Sequence, residues 1–247
     1  LSHADSAVAS VQEAVIQARP ATIAGVPVMI AAPAHTPEPL PTVLWFHGFR
    51  ADALAHVADI ERCARAGFLA VAVDVVDHGA RRDVRMTERI AHAGGGALEV
   101  MLQCVDQSLT ELPHLIHDLV HAHGADPQRI SAVGISMGAF LVYQAVADGL
   151  AVRAAVGVVG SPERPDERSP HLLPARFRDT AMLSVVAEHD TSVPPAAAHR
   201  LHASLRTIHP LAVQRIVQLP GVGHLMSATQ WRTAMDVTEA WLVKHGT

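Results

Sequence analysis

Short, mainly apolar runs alternate along this chain with longer segments in which apolar residues recur every third or fourth position. The runs Phe68 to Val73, Ile130 to Val133 and Val152 to Val159 lack polar and apolar alternation, which predicts strands covered by helices on both faces. Thr42 to Phe46 and Ala181 to Ala187 read the same way, and Val213 to Leu219 predicts a further, alternating strand. Between these lie segments of helical period. Ala51 to Ala66 carries Leu54, Val57, Ala58 and Ile60 at helical spacing and stops at Gly67. Ala97 to His121, Ala139 to Ala147 and Thr229 to His245 behave alike. Strands alternating with helices predict an α/β chain whose central sheet is mostly parallel, with right-handed crossovers.

The front of the chain departs from this rhythm. Ser6 to Gln17 predicts a short helix, and Ala21 to Ile30 an antiparallel edge hairpin reversing around Gly25-Val26-Pro27. Ala34 to Pro41 is rich in proline and reads as a stiff connection, since too little chain precedes it to build a core. There is no internal repeat.

Length and composition narrow the picture. With 247 residues, 49% hydrophobic and 17% charged, the chain can bury one sizeable core, so a single domain over residues 1–247 is expected. The net charge of -5 and the lack of a dense Lys/Arg block argue against a nucleic-acid partner. No apolar stretch has the length of a membrane span. The first residues include Asp5, Gln12 and Glu13 and lack the pattern of a signal peptide, although the chain does not begin with Met. Cys63 and Cys104 both fall in predicted helices and are expected to be core thiols, which points to the cytoplasm.

Gly134-Ile135-Ser136-Met137-Gly138 lies between the apolar run Arg129 to Val133 and the helical segment from Ala139. A serine on so tight a strand-to-helix turn holds a strained backbone and needs small neighbours, which Gly134 and Gly138 supply. A serine hydroxyl is a weak nucleophile until a base takes its proton, and that base needs an acid to fix its tautomer. Asp190 follows the strand Ala181 to Ala187 in the loop Glu188-His189-Asp190-Thr191-Ser192-Val193-Pro194, and is the candidate acid. Glu188 and Glu163 are its rivals. His224, in the glycine-rich loop after Val213 to Leu219, is the candidate base among the 17 histidines. An oxyanion would need two preorganised donors. The backbone N–H of Met137, after the serine, is one candidate; that of Phe49, after the strand Thr42 to Phe46 and His47-Gly48, is the other.

Together with Asp74-Val75-Val76-Asp77-His78-Gly79, these motifs make the chain resemble the α/β-hydrolases, close to small dienelactone-hydrolase-like and prolyl-oligopeptidase-like serine esterases. The match runs from about Val43 to the C-terminus. The resemblance implies an α/β-hydrolase fold with helices on both faces of the sheet and a small cap. It also implies a Ser136, Asp190, His224 triad with an oxyanion hole from the Phe49 and Met137 N–H groups. Two departures stand out. Dienelactone hydrolases proper use cysteine where this chain has Ser136, so their lactone substrate is not carried over, and Ala187 stands where the family often has glycine.

Two inserts, near 81–96 and 161–180, are expected to form the small cap and frame a partly covered pocket for short acyl groups. Leu225 and Met226, following the base, are candidate acyl-site residues. Arg50, and Arg81 with Arg82, could hold a substrate carboxylate; the competing role is surface ion pairing with Asp52, Asp77 or Asp83. His114, His117 and His121 share a helix face but lack a carboxylate or thiolate to complete a ligand set, so no metal is expected. The expected activity is a cofactor-independent serine carboxylesterase acting on small-molecule esters. A prolyl-oligopeptidase-like peptidase, a thioesterase and a non-catalytic binding protein on the same scaffold are the alternatives. Oligomeric state is left open.

Overall fold

The computed structural model describes residues 16–34, 37 and 39–247. The expected helix at Ser6 to Gln17 falls almost wholly outside them, as do three positions of the proline-rich connection. The apolar runs become one eight-stranded sheet of order β1-β2-β4-β3-β5-β6-β7-β8. Its strands are β1 Arg19–Ile23, β2 Val26–Ala31, β3 Leu40–Phe46, β4 Leu69–Val73, β5 Ala125–Ile135, β6 Ala154–Val158, β7 Ala181–Ala187 and β8 Gln214–Leu219. Only β1 with β2 and β2 with β4 pair antiparallel; every other pairing is parallel. The mostly parallel α/β sheet read from the sequence is therefore the observed one.

Among the described residues six α-helices flank it: α1 Val57–Arg65, α2 Met86–His92, α3 Gly96–Ala122, α4 Met137–Ala147, α5 Ala196–Ile208 and α6 Ala228–His245. Side chains alternate across each strand, so β3 feeds two cores. Leu44 and Phe46 pack with Leu115, Leu119 and Leu141 of α3 and α4. Val43 and Trp45 pack with Ile60 and Cys63 of α1 and Trp241 and Leu242 of α6. Both cysteines are buried and unlinked. All of α4 is buried.

Two local readings need correcting. The hairpin reverses at Ala24-Gly25, one position earlier than expected, because both residues take positive φ (51° and 79°) and close a two-residue turn. Val26 and Pro27 already belong to β2, where the Pro27 carbonyl accepts a hydrogen bond from the Asp74 N–H at 3.1 Å. The helix expected from Ala51 starts as a tighter turn, Ala53–His56, capped by the Asp52 side chain, and becomes α-helical only at Val57. Gly67, at φ 97°, ends it as expected.

The parallel strands all point their carboxyl ends to one edge, where open α/β sheets present loops. The 81–96 insert contributes α2 there. The 161–180 connection instead folds down onto the helices: Arg164 is buried and donates to both Asp106 oxygens of α3 at 2.8 Å, and Phe177 is fully buried. No helix of the described residues is long and apolar enough to cross a membrane.

Candidate active site

Ser136 stands between β5 and α4 with φ 51° and ψ -111°, a conformation that costs on the order of 1–3 kcal/mol for a residue with a Cβ. The flanking glycines are there for space. A Cβ on Gly134 would lie 2.0 Å from the Gly138 carbonyl oxygen, and one on Gly138 would lie 2.1 Å from that of Phe46. The turn is tied to both neighbouring strands, the Ser136 N–H donating to Val158 at 2.8 Å and the Gly138 N–H to His47 at 3.1 Å.

The loops after β7 and β8 bring Asp190 and His224 to this serine. Ser136 Oγ lies 3.0 Å from His224 Nε2, and His224 Nδ1 lies 2.7 Å from Asp190 Oδ2. A carboxylate only accepts, so Nδ1 carries the imidazole proton and Nε2 presents a lone pair to the serine hydroxyl. The Asp190 side chain is 1% exposed, and its second oxygen accepts from the N–H groups of Ser192 (2.9 Å) and Val193 (2.8 Å). The rival carboxylates are engaged elsewhere. Glu188 accepts from the Gly221 N–H at 2.8 Å, and Glu163 pairs with Arg200. The His189 N–H donates to Val222 at 2.8 Å and joins the acid loop to the base loop.

Phe49 and Met137 flank the serine, and neither backbone N–H donates to a protein acceptor among the described residues. The loop carrying Phe49 is held by residues to which the sequence assigned no role. His47 is fully buried, its Nδ1 donating to Gly48 at 2.8 Å while Nε2 accepts from the Val75 N–H at 3.1 Å. Burial pushes its pKa down to about 4, which keeps the ring neutral and this bridge intact. Asp74 accepts from Ala53 on one oxygen (2.9 Å) and from Ala80 on the other (2.8 Å), clamping the Gly48–Asp52 loop to the turn at Gly79. Gly79 has φ 57°, and a Cβ there would fall 2.0 Å from that carboxylate. His78, whose pKa burial also lowers, lies with its ring centroid 5.3 Å from that of His47 and 5.4 Å from that of Phe49. The His-Gly pairs and the Asp were visible as motifs. Their work as a scaffold for the loop was not.

Two hollows open beside this loop. One, of about 590 Å³, is lined by Ser136 and His224 together with Phe49, His56, Leu225, Met226 and Trp231. The other, of about 280 Å³, is polar and takes in Arg50, Asp77, His78, Arg82 and Asp83. Leu225, 91% exposed, and Met226 border the hollow that holds the serine. Arg50 is exposed in the second hollow and has no ion-pair partner among the described residues. Arg81 is not brought to either hollow. Its guanidinium is bound by both Glu111 oxygens at 2.8 Å and by the Asp74 carbonyl at 2.6 and 3.0 Å, a pairing role with a partner 30 positions away. The 161–180 insert lines neither hollow, whereas the 81–96 insert supplies Arg82, Asp83 and Met86 to the polar one.

Backbone strain clusters here too. Of the five non-glycine residues with positive φ among those described, Arg50 and Asp77 line the polar hollow, and Ser136 and Val159 the apolar one. His114, His117 and His121 lie away from the site, exposed along α3, with the last two rings stacked at 4.1 Å. Among the described residues no group of three His, Cys, Asp or Glu side chains is arranged to hold a metal ion.

Comparison with known proteins agrees with this architecture. Residues 26–241 match the family model of the dienelactone hydrolase family. Esterase YjfP of Escherichia coli (strain K12) is 28% identical over 140 residues, 56% of this chain and 53% of that protein, so the match spans about half the length of the relative. The crystal structure of TT1662 from Thermus thermophilus superposes with a TM-score of 0.74 at 20% identity, covering 92% of this chain and 98% of the other. The Pyrococcus horikoshii acylaminoacyl peptidase superposes with a TM-score of 0.74 at 13% identity, covering 94% of this chain but 42% of the peptidase. At such identities the structural likeness speaks to the fold alone, and that fold is the α/β-hydrolase fold. The chain belongs to the dienelactone hydrolase family.

Proposed function

We propose that the protein is a serine carboxylesterase that hydrolyses small or short-chain acyl esters through an acyl-enzyme intermediate. The observation that carries this reading is the unbroken hydrogen-bond chain from Ser136 Oγ through His224 to a buried Asp190, built at a strained turn beside an open apolar hollow. In the first half-reaction Ser136 Oγ attacks the ester carbonyl carbon while His224 Nε2 takes the hydroxyl proton. The carbonyl electrons move onto oxygen, facing the N–H groups of Phe49 and Met137, each of which would contribute on the order of 3 kcal/mol to the transition state. Collapse of the tetrahedral species breaks the bond to the alkoxide, which receives the proton from His224, and leaves the acyl group on Ser136. Water then repeats the sequence: His224 takes its proton, its oxygen attacks the acyl carbon, and Ser136 leaves with the proton returned. Asp190 holds the imidazole tautomer throughout and stabilises the imidazolium as it forms. Every step uses protein groups and water. A hollow of about 590 Å³ suits a short acyl group.

The test is labelling with a fluorophosphonate, read by mass spectrometry, with p-nitrophenyl esters of increasing acyl length assayed alongside. The expected result is a single adduct on Ser136, loss of nearly all turnover in Ser136→Ala, and falling kcat/KM as the acyl chain lengthens. Substantial turnover by pure Ser136→Ala would overturn the nucleophile assignment.

A further inference from the structure

Beyond Ser136 and His224, the side chains lining the apolar hollow are hydrocarbon, thioether or aromatic, with one exception. His56, buried at 5% exposure at the end of the tight turn before α1, is part of that wall. Its Nδ1 lies 3.0 Å from Asp59 Oδ2, and the other Asp59 oxygen accepts from Trp231 Nε1 at 3.4 Å. The His56 ring centroid is 5.8 Å from that of Trp45 on one side and 5.8 Å from that of Trp231 on the other. Two aromatic neighbours and a carboxylate thus fix the ring, a degree of preorganisation that packing alone does not require. Because the carboxylate only accepts, Nδ1 carries a proton, and in the neutral form of the imidazole the lone pair is then on Nε2. That nitrogen has no protein partner among the described residues, while the Trp231 indole N–H is already spent on Asp59.

We infer that His56 is a specificity-determining residue, and that the hollow takes an aromatic acyl group bearing a hydroxyl, which donates its hydrogen bond to His56 Nε2. The inference deepens the esterase reading and rests on it for where the reacting carbonyl sits. Phe49, Trp231 and His56 give a ring flat surfaces to pack on. An otherwise apolar wall with a single fixed acceptor favours a ligand that fills the space and offers one donor in the right place. A ligand without the donor leaves Nε2 buried and unpaired, and that asymmetry is what produces discrimination. The chemistry does not use His56 as acid or base; it acts by binding.

The experiment compares the methyl esters of ring-hydroxylated phenylacetic and 3-phenylpropanoic acids with their ring-methylated counterparts, which have nearly the same size and lack the donor. The expected result is that one hydroxylated ester exceeds its methyl counterpart about tenfold in kcat/KM, and binds about tenfold tighter to Ser136→Ala by tryptophan fluorescence. His56→Phe should bring the two esters level, while His56→Gln, which keeps an acceptor, should retain part of the difference. Asp59→Asn, whose amide N–H can hold Nδ1 as an acceptor and move the ring proton to Nε2, should narrow the preference without emptying the hollow. Thermal melts establish that each variant is folded, and a folded Asp59→Asn decides the matter if His56→Phe is not. Equal values for every matched pair, or a preference that survives in folded His56→Phe and Asp59→Asn, would overturn the inference. Ester turnover that persists in Ser136→Ala would instead overturn the nucleophile, with the affinity difference still deciding His56.

Discussion

His202 of α5 ends a buried polar chain that the reaction does not use, and acid should find it. Tyr143 Oη lies 2.6 Å from Ser184 Oγ, which lies 2.8 Å from His202 Nε2, and His202 Nδ1 reaches Gln214 Oε1 at 2.5 Å. The ring is fully buried, and desolvation lowers its pKa from 6.5 to about 4. Above pH 6.5 the ring is neutral in both the folded and unfolded chain and pH has no leverage. Between 6.5 and 4 the unfolded chain binds a proton that the folded one refuses, so stability falls as pH falls; below 4 both forms are protonated and the loss levels off. Between pH 7 and pH 4.5 the loss from this one group is about 2.5 kcal/mol, a large share of a typical domain stability of roughly 5–15 kcal/mol. The perturbation is His202→Gln, and the assay is urea unfolding of wild type and variant at both pH values. The absolute cost of the substitution cancels in the double difference, so the variant should lose about 2.5 kcal/mol less than wild type on acidification. His47, lowered to about 4 by the same cause, remains in both proteins and keeps part of the acid sensitivity. Parallel losses in the two proteins would refute the assignment of a neutral, proton-refusing His202.

Gly138→Ala should destabilise the protein by on the order of 3 kcal/mol and remove esterase activity, because its Cβ would sit 2.1 Å from the Phe46 carbonyl oxygen; Gly94→Ala, with nothing within 4 Å of the new Cβ, is the control, and equal melting temperatures for the two would contradict the steric account. Arg50→Ala should raise KM several-fold for esters carrying a second carboxylate and leave neutral esters unaffected, read from matched neutral and anionic substrates, since Arg50 has an exposed guanidinium in the polar hollow. An equal effect on both substrate types would remove Arg50 from substrate recognition.

What could be read from the sequence, and what could not, follows from how far apart the interacting residues lie. Ser136 directly follows the buried end of β5, Asp190 follows the buried β7 and His224 follows the alternating, half-buried β8, each in a turn or loop marked by glycine or proline, so their order along the chain was readable. The strands were legible because burial on both faces leaves mainly apolar runs without alternation, as in the fully buried β3, β4 and β7. α5 was not, since Leu201 and Leu205 are the only large apolar residues on a buried face completed by Ala197, Ala198 and His202. Contacts across long separations leave no periodic trace. Asp59 meets Trp231 across 172 positions and Arg81 meets Glu111 across 30, so neither the His56 wall nor the true partner of Arg81 could be seen. The hairpin turn was misplaced because Gly25 and Pro27 are both turn formers by composition, and only the backbone shows that Ala24 takes the first of the two left-handed positions.

The arrangement also separates what fixes the chemistry from what can change its target. The elbow is bonded to β6 through the Ser136 N–H and to the residue after β3 through the Gly138 N–H, while His47 and Asp74 join the Phe49 loop to the end of β4. Ser136 and its candidate oxyanion donors thus share one rigid unit centred on β3, β4, β5 and β6, and the strain at Ser136 persists because neighbours on both sides hold it. That unit also supplies Phe49, Ser136, Arg50 and His78 to the two hollows, but the rest of their walls hangs from other elements: His56 and Trp231 from α1 and α6 and the turns before them, Arg82 and Met86 from the insert at α2. Substitution there can reshape the hollows without moving the Ser136 Oγ to His224 distance. Substitution at Gly134 or Gly138 cannot avoid moving backbone that the serine depends on, and at Gly79 it displaces the Asp74 carboxylate that holds the Phe49 loop. Within this family, then, the hollows should vary in side chain while the glycines and the Asp74 clamp keep their identity, because only the former can change without a steric penalty.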